Sequence, residues 1–354
     1  MKGIILHGGS GSRLRPLTYS DVKQLLPIAG KPISEYALQN LVSIGISEVN
    51  IVIGSVGGEE VKRYYGDGAR WGVSISYTYQ EKPLGIAHAI SLTRDFVGDD
   101  NFVVFLGDNF LQDGISSLYH EFTAHEYEGM IALVRVSDPS QFGIAEVEGD
   151  KIVKLVEKPK QPRSDLAIVG VYFLSPEVFR SIDKLKPSAR GELEITEAYQ
   201  DMIESGRKIG YAIVKGWFKD TGTVDDFIDC NRLVLDRISG NVSDLKMKNV
   251  SGRVYLGKDS FISERSRVLG PCYIGPGTKI DDSYIGPFTS IGSNCVVKDS
   301  EIEDSIVMDG TEISLSRNYI LRQCLIGSNV RIKGSGSTSR TLRFVLGRDS
   351  KLEF

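Results

Sequence analysis

Glycine and fixed positive charge meet near the start of the chain. Residues 3–18 read GIILHGGSGSRLRPLT, an apolar run followed by Gly8, Gly9 and Gly11 and then by Arg13 and Arg15. A bare backbone beside guanidinium groups, directly off a buried strand, suits a phosphate. Glycine lets backbone N–H groups approach an anion closely, and arginine offers a planar fork of donors. Two common phosphate loops fail on spacing. A P-loop needs G-x-x-x-x-G-K-[ST], whereas Gly30-Lys31 is followed by Pro32 and lacks the earlier glycine. A dinucleotide fingerprint needs G-x-G-x-x-G, whereas the third residue after Gly11 is Leu14. Generic ATPase and dehydrogenase chemistry are therefore disfavoured.

GGSGSRLRPLT, with KQLLP at residues 23–27, resembles the signature of the sugar-nucleotide pyrophosphorylases, or sugar-phosphate nucleotidylyltransferases. The resemblance extends over the N-terminal domain. The Leu-Gly-Asp-Asn run at 106–109 resembles the thymidylyltransferase branch in particular, in its long form with a C-terminal left-handed β-helix. The resemblance implies a nucleotide site at Leu6, Gly8, Gly9, Gly11, Arg13, Gln80, Pro83, Gly85 and Asp108. Arg13 would clamp the β- and γ-phosphates, with Lys23 as a second charge. Gln80 in YQEKPLGIAHA would offer a donor and an acceptor to a pyrimidine edge. A sugar-phosphate site is implied at Asn109, Gly143, Glu157, Lys158 and Val169, with Gly170 beside them. Asp108 and Asp220 would hold Mg²⁺, and Arg13, Lys23 and Lys158 would be the catalytic cations. GELEITEA, residues 191–198, matches a family stretch to which no chemistry is assigned. Two departures stand out. Position 7 is His where many relatives have Ala, read as a neutral ring satisfied by a backbone group. Lys219 adds one residue between Trp217 and Asp220, which blurs the equivalence of Trp217.

The reaction so implied is transfer of a nucleoside monophosphate from dTTP to glucose 1-phosphate, giving dTDP-glucose and pyrophosphate. UTP is the alternative nucleotide, since one methyl group is worth only about 1 kcal/mol of discrimination. A bifunctional enzyme with a β-helix acetyltransferase is a further alternative. Such transferases commonly use a histidine base, and the four histidines, His7, His88, His120 and His125, all precede residue 126. A non-catalytic regulatory relative should have lost phosphate or metal residues, yet Arg13, Lys23, Asp108, Lys158 and Asp220 are all present.

These residues need elements to position them. Up to about residue 240, strand-like runs such as KGIIL, VNIVIG and FVVFLGDN alternate with helical patterns, predicting an α/β domain with a mostly parallel sheet covered by helices. A last helix is expected from TVDDFIDCNRLVLDRISG, with Gly240 as its stop. The period then changes. Val250, Leu256, Ile262, Val268, Ile274 and Ile280 recur every six residues, and Ile285, Ile291 and Val297 continue after a slip of one. Ile313 is less regular, and Ile320, Ile326 and Ile332 restore the six. One aliphatic per six predicts a left-handed parallel β-helix over 241–354, following a catalytic domain over 1–240. Residues 333–341 read as a mobile loop, with Leu346 and Leu352 resuming the repeat or forming a closing strand.

The bulk numbers fit a globular protein: 41% hydrophobic and 25% charged residues with a net charge of −4. That balance gives no general pull toward nucleic acid or an anionic membrane, so any anion site is local. Cys230, Cys272, Cys295 and Cys324 are scattered and read as reduced thiols of a cytoplasmic protein. The run Gly3–Leu6 is too short for a signal peptide. A homo-oligomer is expected, because regular repeats expose broad flat faces.

Overall fold

The opening apolar run forms the strand Lys2–His7, buried from Gly3 onward. It lies inside a nine-stranded sheet, parallel to Glu48–Gly54 on one side and to Phe102–Leu106 on the other. Ser74–Gln80 extends the parallel part beyond Glu48–Gly54. On the other side Leu166–Leu174 runs antiparallel to Phe102–Leu106 and then serves two further partners, Gly129–Arg135 and Gly143–Glu148. All nine of its residues are buried, as expected for a strand covered on both faces. Its register with Gly129–Arg135 shifts between Ile168 and Tyr172. That irregularity withdraws Val169 and Gly170 from the ladder at the place where the strand changes neighbours. Lys151–Glu157 closes this edge, and Ile209–Ile213 pairs parallel with Gly129–Arg135. Helices including Ile86–Ser91 and Ile195–Glu204 pack on the sheet around a core that contains Ile4, Val104, Leu133, Tyr172 and Tyr199.

This is a computed structural model, and it describes residues 1–9, 11–242, 247–316, 318–336 and 338–354. The chain gathers into two compact units, residues 1–9 with 34–219 and residues 10–33 with 220–354. The sheet just described belongs to the first.

In the second unit, residues 11–32 make three short 3₁₀ turns, Ser12–Leu14, Leu17–Tyr19 and Lys23–Leu25, and a two-residue ladder of Pro27–Ile28 with Lys31–Pro32. The helix Val224–Leu235 opens on a capping box. Asp226 N–H donates to Thr223 Oγ1, and Thr223 N–H donates back to Asp226 Oδ2. The helix ends at Leu235, before the predicted Gly240 stop. Gly240 instead lies against the backbone of Val254, and Asn241 N–H bonds the Val254 carbonyl at 3.0 Å. Pairing with the following β-structure draws the chain away from the helix before the glycine is reached.

From Val250 to Glu353 the chain winds through three parallel six-stranded sheets, the architecture of a left-handed parallel β-helix. Val268, Ile274, Ile280, Ile285, Ile291 and Val297 are fully buried, one from each face in turn. One expected core residue is displaced. Leu321, not Ile320, stacks in register with Ile302 and is fully buried, while Ile320 stands opposite Glu301. Leu321 lies eight positions after Ile313, so a step of seven lands one short, on Ile320. Leu346 and Leu352 do resume the repeat, in register with Ile326 and Ile332. Within the predicted 333–341 loop, Ser337 lies outside the described residues; the flanks Arg331–Gly334 and Arg340–Leu342 are strands. All four cysteines are buried and none is in a disulfide, and burial pushes the Cys272 and Cys295 thiols up to about 12 and Cys324 to about 11.

Candidate functional site

In the first unit, the parallel strands end beside a cleft lined by Leu6, Gly8, Gly9, Gln80, Pro83, Gly85, Leu106 and Asp108, together with Val52, Ile86, Ala89 and Glu192. The carboxyl ends of parallel strands are the usual position for a nucleotide in an open α/β sheet. Seven of the residues expected at the nucleotide site thus line one surface: Leu6, Gly8, Gly9, Gln80, Pro83, Gly85 and Asp108.

Gln80 closes the strand Ser74–Gln80 and is buried. Its Nε2 lies 3.2 Å from the Gly85 carbonyl and 2.9 Å from His88 Nδ1. These contacts fix the amide plane, and Oε1 has no hydrogen bond among the described residues. Gly85 has φ +102°, and a Cβ there would lie 2.5 Å from the Leu193 carbonyl oxygen. Only glycine allows that approach. It brings in residues 191–198, because Leu193 N–H donates to the Leu84 carbonyl at 2.7 Å and Ala87 N–H to the Leu193 carbonyl at 3.2 Å.

His7 leaves the cleft. It packs edge-on to Tyr65 with ring centroids 5.8 Å apart. Burial lowers its pKa to about 3, so the ring is neutral, as expected. The expected backbone partner is missing, however. Neither ring nitrogen has a hydrogen bond among the described residues.

Asp108 follows the strand Phe102–Leu106, and Asn109 holds it. Asn109 Nδ2 donates to Asp108 Oδ1 at 3.0 Å, while Asn109 Oδ1 accepts from Gly170 N–H at 3.1 Å. The buried amide therefore ties the carboxylate to the irregular stretch containing Val169 and Gly170. A second group sits at the end of Lys151–Glu157. Glu157 is opposite Gly143 in the ladder, and a Cβ on Gly143 would lie 3.0 Å from Glu157 Oε2. Burial, and then the neighbouring Glu194, raise the Glu157 pKa against the pull of Lys158, Arg190 and Thr196. Lys158 is exposed, with φ +40° and its N–H on the Phe142 carbonyl at 3.0 Å.

The residues missed by sequence reasoning surround Glu157. Arg190 Nη1 reaches Glu157 Oε1 at 3.2 Å and Glu194 Oε1 at 3.4 Å, and its Nη2 reaches Glu192 Oε2 at 3.0 Å. Thr196 Oγ1 donates to Glu157 Oε2 at 3.4 Å. One guanidinium thus joins Glu157 to Glu192, a cleft residue. The signal available was the GELEITEA stretch itself, which has no recognisable spacing of its own.

In the second unit, Gly11, Arg13, Lys23 and Asp220 form their own cluster. The buried Lys23 places Nζ 3.8 Å from Asp220 Oδ1. The Arg13 guanidinium lies over Gly222, where a Cβ would be 2.8 Å from Nη2. Gly222 N–H returns to the Asp220 carbonyl at 2.8 Å. Lys23 therefore stands beside the Asp220 carboxylate, and the Arg13 guanidinium stands against the turn that follows it.

Asp108 in the first unit and Asp220 in the second each offer a carboxylate, a hard oxygen donor. Among the described residues no group of three or more His, Cys, Asp or Glu could form a cage.

A glucose-1-phosphate thymidylyltransferase of Streptomyces antibioticus is 44% identical over 359 residues, covering 100% of this chain and 99% of that protein. A low-salt glycan biosynthesis nucleotidyltransferase of Haloferax volcanii is 42% identical over 374 residues, covering 100% of both. A crystallised Bacillus anthracis protein assigned as a glucose-1-phosphate thymidylyltransferase, in complex with sucrose, superposes with a TM-score of 0.64 at 41% identity, covering 68% of this chain and 98% of that one. The family model described as nucleotidyl transferase matches residues 2–237, a span that includes the cleft-forming strands and the glycine–arginine loop alike. On that match and on full-length identity above 40%, the chain belongs to the nucleotidyl transferase family.

Proposed function

We propose that the protein is a glucose-1-phosphate thymidylyltransferase, converting dTTP and glucose 1-phosphate into dTDP-glucose and pyrophosphate. The observation that carries this reading is the 44% identity to a glucose-1-phosphate thymidylyltransferase along the whole of both chains. In this reading the base lies in the cleft against Leu6, Gln80, Pro83 and Gly85, and the loop of Gly8, Gly9 and Gly11 follows the phosphates. Asn109, Gly143, Glu157 and Val169 hold the sugar, with Glu157 accepting hydrogen bonds from its hydroxyls. Lys158 holds the sugar phosphate. A phosphate oxygen of glucose 1-phosphate attacks the α-phosphorus of dTTP in line, the bond from that phosphorus to the bridging oxygen breaks, and pyrophosphate leaves. No covalent intermediate on the enzyme is required. Arg13 and Lys23 neutralise the charge that grows on the leaving group, so catalysis is positioning plus charge neutralisation. Family members use a divalent metal, and we assign it as Mg²⁺ held by Asp108 and Asp220, where it would neutralise phosphate charge.

In the same reading residues 1–240 carry the chemistry, and the β-helix over 241–354 supports a homo-oligomer of a cytoplasmic enzyme. Among the described residues no helix is long and apolar enough to cross a membrane. The deciding experiment is a matrix of pyrophosphate release, with dTTP, UTP, ATP, CTP and GTP each set against several sugar 1-phosphates. The dTTP and glucose 1-phosphate pair should be fastest; an equal or faster rate with UTP overturns the nucleotide assignment. Acetyl-CoA with glucosamine 1-phosphate should release no CoA, and light scattering should give a mass above that of one chain.

A further inference from the structure

Within the second unit, the turn that bears the phosphate-facing cations is held from far along the sequence. Asp21 stands two residues before Lys23, and its side chain is only 10% exposed. One carboxylate oxygen accepts a charge-assisted hydrogen bond from Arg348 Nη2, and the other accepts from Ser20 Oγ at 2.9 Å. The backbone follows the same path. Gly347 lies against Pro16, where an added Cβ would be 3.0 Å from the carbonyl oxygen. Pro16 to Asp21 is one continuous turn, with Asp21 N–H on the Leu17 carbonyl at 3.1 Å. Thr18 Oγ1 then reaches back to the Gly11 carbonyl at 2.7 Å, and a Cβ on Gly11 would touch both Thr18 and Lys23. The last coil of the β-helix, through Gly347 and Arg348, is thus in contact with the segment that sets where Gly11 and Lys23 stand.

We propose that Arg348 is a positioning residue for the nucleotide triphosphate and pyrophosphate, acting through Asp21. It works in two ways. It fixes the turn, so that Gly11 and Lys23 are presented without further ordering when phosphate binds. It also neutralises a carboxylate that would otherwise oppose a phosphate anion two residues from Lys23. The β-helix then has a part in the reaction apart from assembly. This inference rests on the phosphate role proposed for Arg13 and Lys23.

The test uses the full chain and reads two Michaelis constants, one for pyrophosphate in the reverse direction and one for glucose 1-phosphate in the forward direction. Arg348→Gln should raise the KM for pyrophosphate, and that for dTTP, by about fivefold or more, leaving the KM for glucose 1-phosphate within about twofold. Arg348→Lys keeps the charge but loses the fork, and should give a smaller rise in the same two constants. Arg322→Gln breaks a comparable ion pair, to Glu303, on the same β-helix but away from the turn, and should change none of them. Equal shifts for all substrates, no shift with Arg348→Gln, or the same effect from Arg322→Gln would each overturn the proposal. Arg13→Gln separates it from the underlying reading. If Arg13→Gln raises the pyrophosphate KM and Arg348→Gln does not, only the role of Arg348 fails; if neither does, the phosphate assignment fails with it. Should Arg348→Gln not fold, Arg348→Lys alone decides, through the same contrast between pyrophosphate and glucose 1-phosphate.

Discussion

Glu157 is held in a place that works against folding, and we propose that it is kept there for the sugar. Burial and Glu194 raise its pKa, while the nearby cations must be shared, since Arg190 divides its fork among three carboxylates. A carboxyl whose folded pKa is raised contributes stability below the ordinary carboxylate range, and that contribution is lost as pH rises through the raised value. The ionised form of Glu157 therefore costs stability. Glu157→Gln should leave the urea midpoint at pH 7 unchanged or higher, while raising the KM for glucose 1-phosphate about tenfold. A large fall in stability at pH 7 would contradict the burial argument. His7 poses the opposite case, a buried ring with no hydrogen bond among the described residues and no assigned task. Because the imidazole is desolvated without compensation, His7→Leu should stabilise the fold by about 1–2 kcal/mol in denaturant titration. A loss of stability or of activity would show that the ring has a partner or a function in solution.

At the scale of elements, the cleft depends on a loop and a helix-leading segment that share backbone hydrogen bonds. Gly85→Ala meets the Leu193 carbonyl and a φ of +102°, so it should part Leu84 from Leu193 and raise the KM for dTTP by at least about tenfold. Little change in that constant would mean the two segments are not coupled. The strands and the hexapeptide winding were legible because each rests on a short-range rule. A continuous apolar run marks a buried strand, and one aliphatic per six residues marks a β-helix. The rules slipped where tertiary pairing took over. Gly240 did not end a helix because Asn241 was already pairing with Val254. Ile320 was displaced by Leu321 because one coil is longer than the count allowed. Arg190 was invisible for a different reason: a lone arginine carries no spacing, and its meaning comes only from the three carboxylates that folding brings to it.

On the scale of the whole molecule, one side chain of the second unit joins three stretches of chain. The fully buried Asn231 accepts from Ala29 N–H at 3.0 Å and from Ser290 Oγ at 2.7 Å, and donates to the Phe288 carbonyl at 3.1 Å. Asn231→Ala removes all three bonds and strands buried groups, so it should cost about 2–4 kcal/mol in reversible unfolding. A cost below about 1 kcal/mol would mean these stretches hold together by other means. No short-range pattern could have shown that residues 11–33 gather with the β-helix, since neither segment carries a mark of the other.

Asp21 and Arg348 lie 327 positions apart, and that separation has a consequence in time. During synthesis the glycine–arginine loop is made first, and its anchoring cation only after about 300 further residues have been added. At roughly 5–20 residues per second this delay is tens of seconds. Contacts of such long range form late, after local strands and coils have closed their own loops. A chain arrested short of Arg348 would hold the cleft-forming strands but an unbraced loop, and so would be poor at sequestering nucleotide. In the reading proposed above, tight triphosphate binding would then be acquired only once translation has run past Arg348.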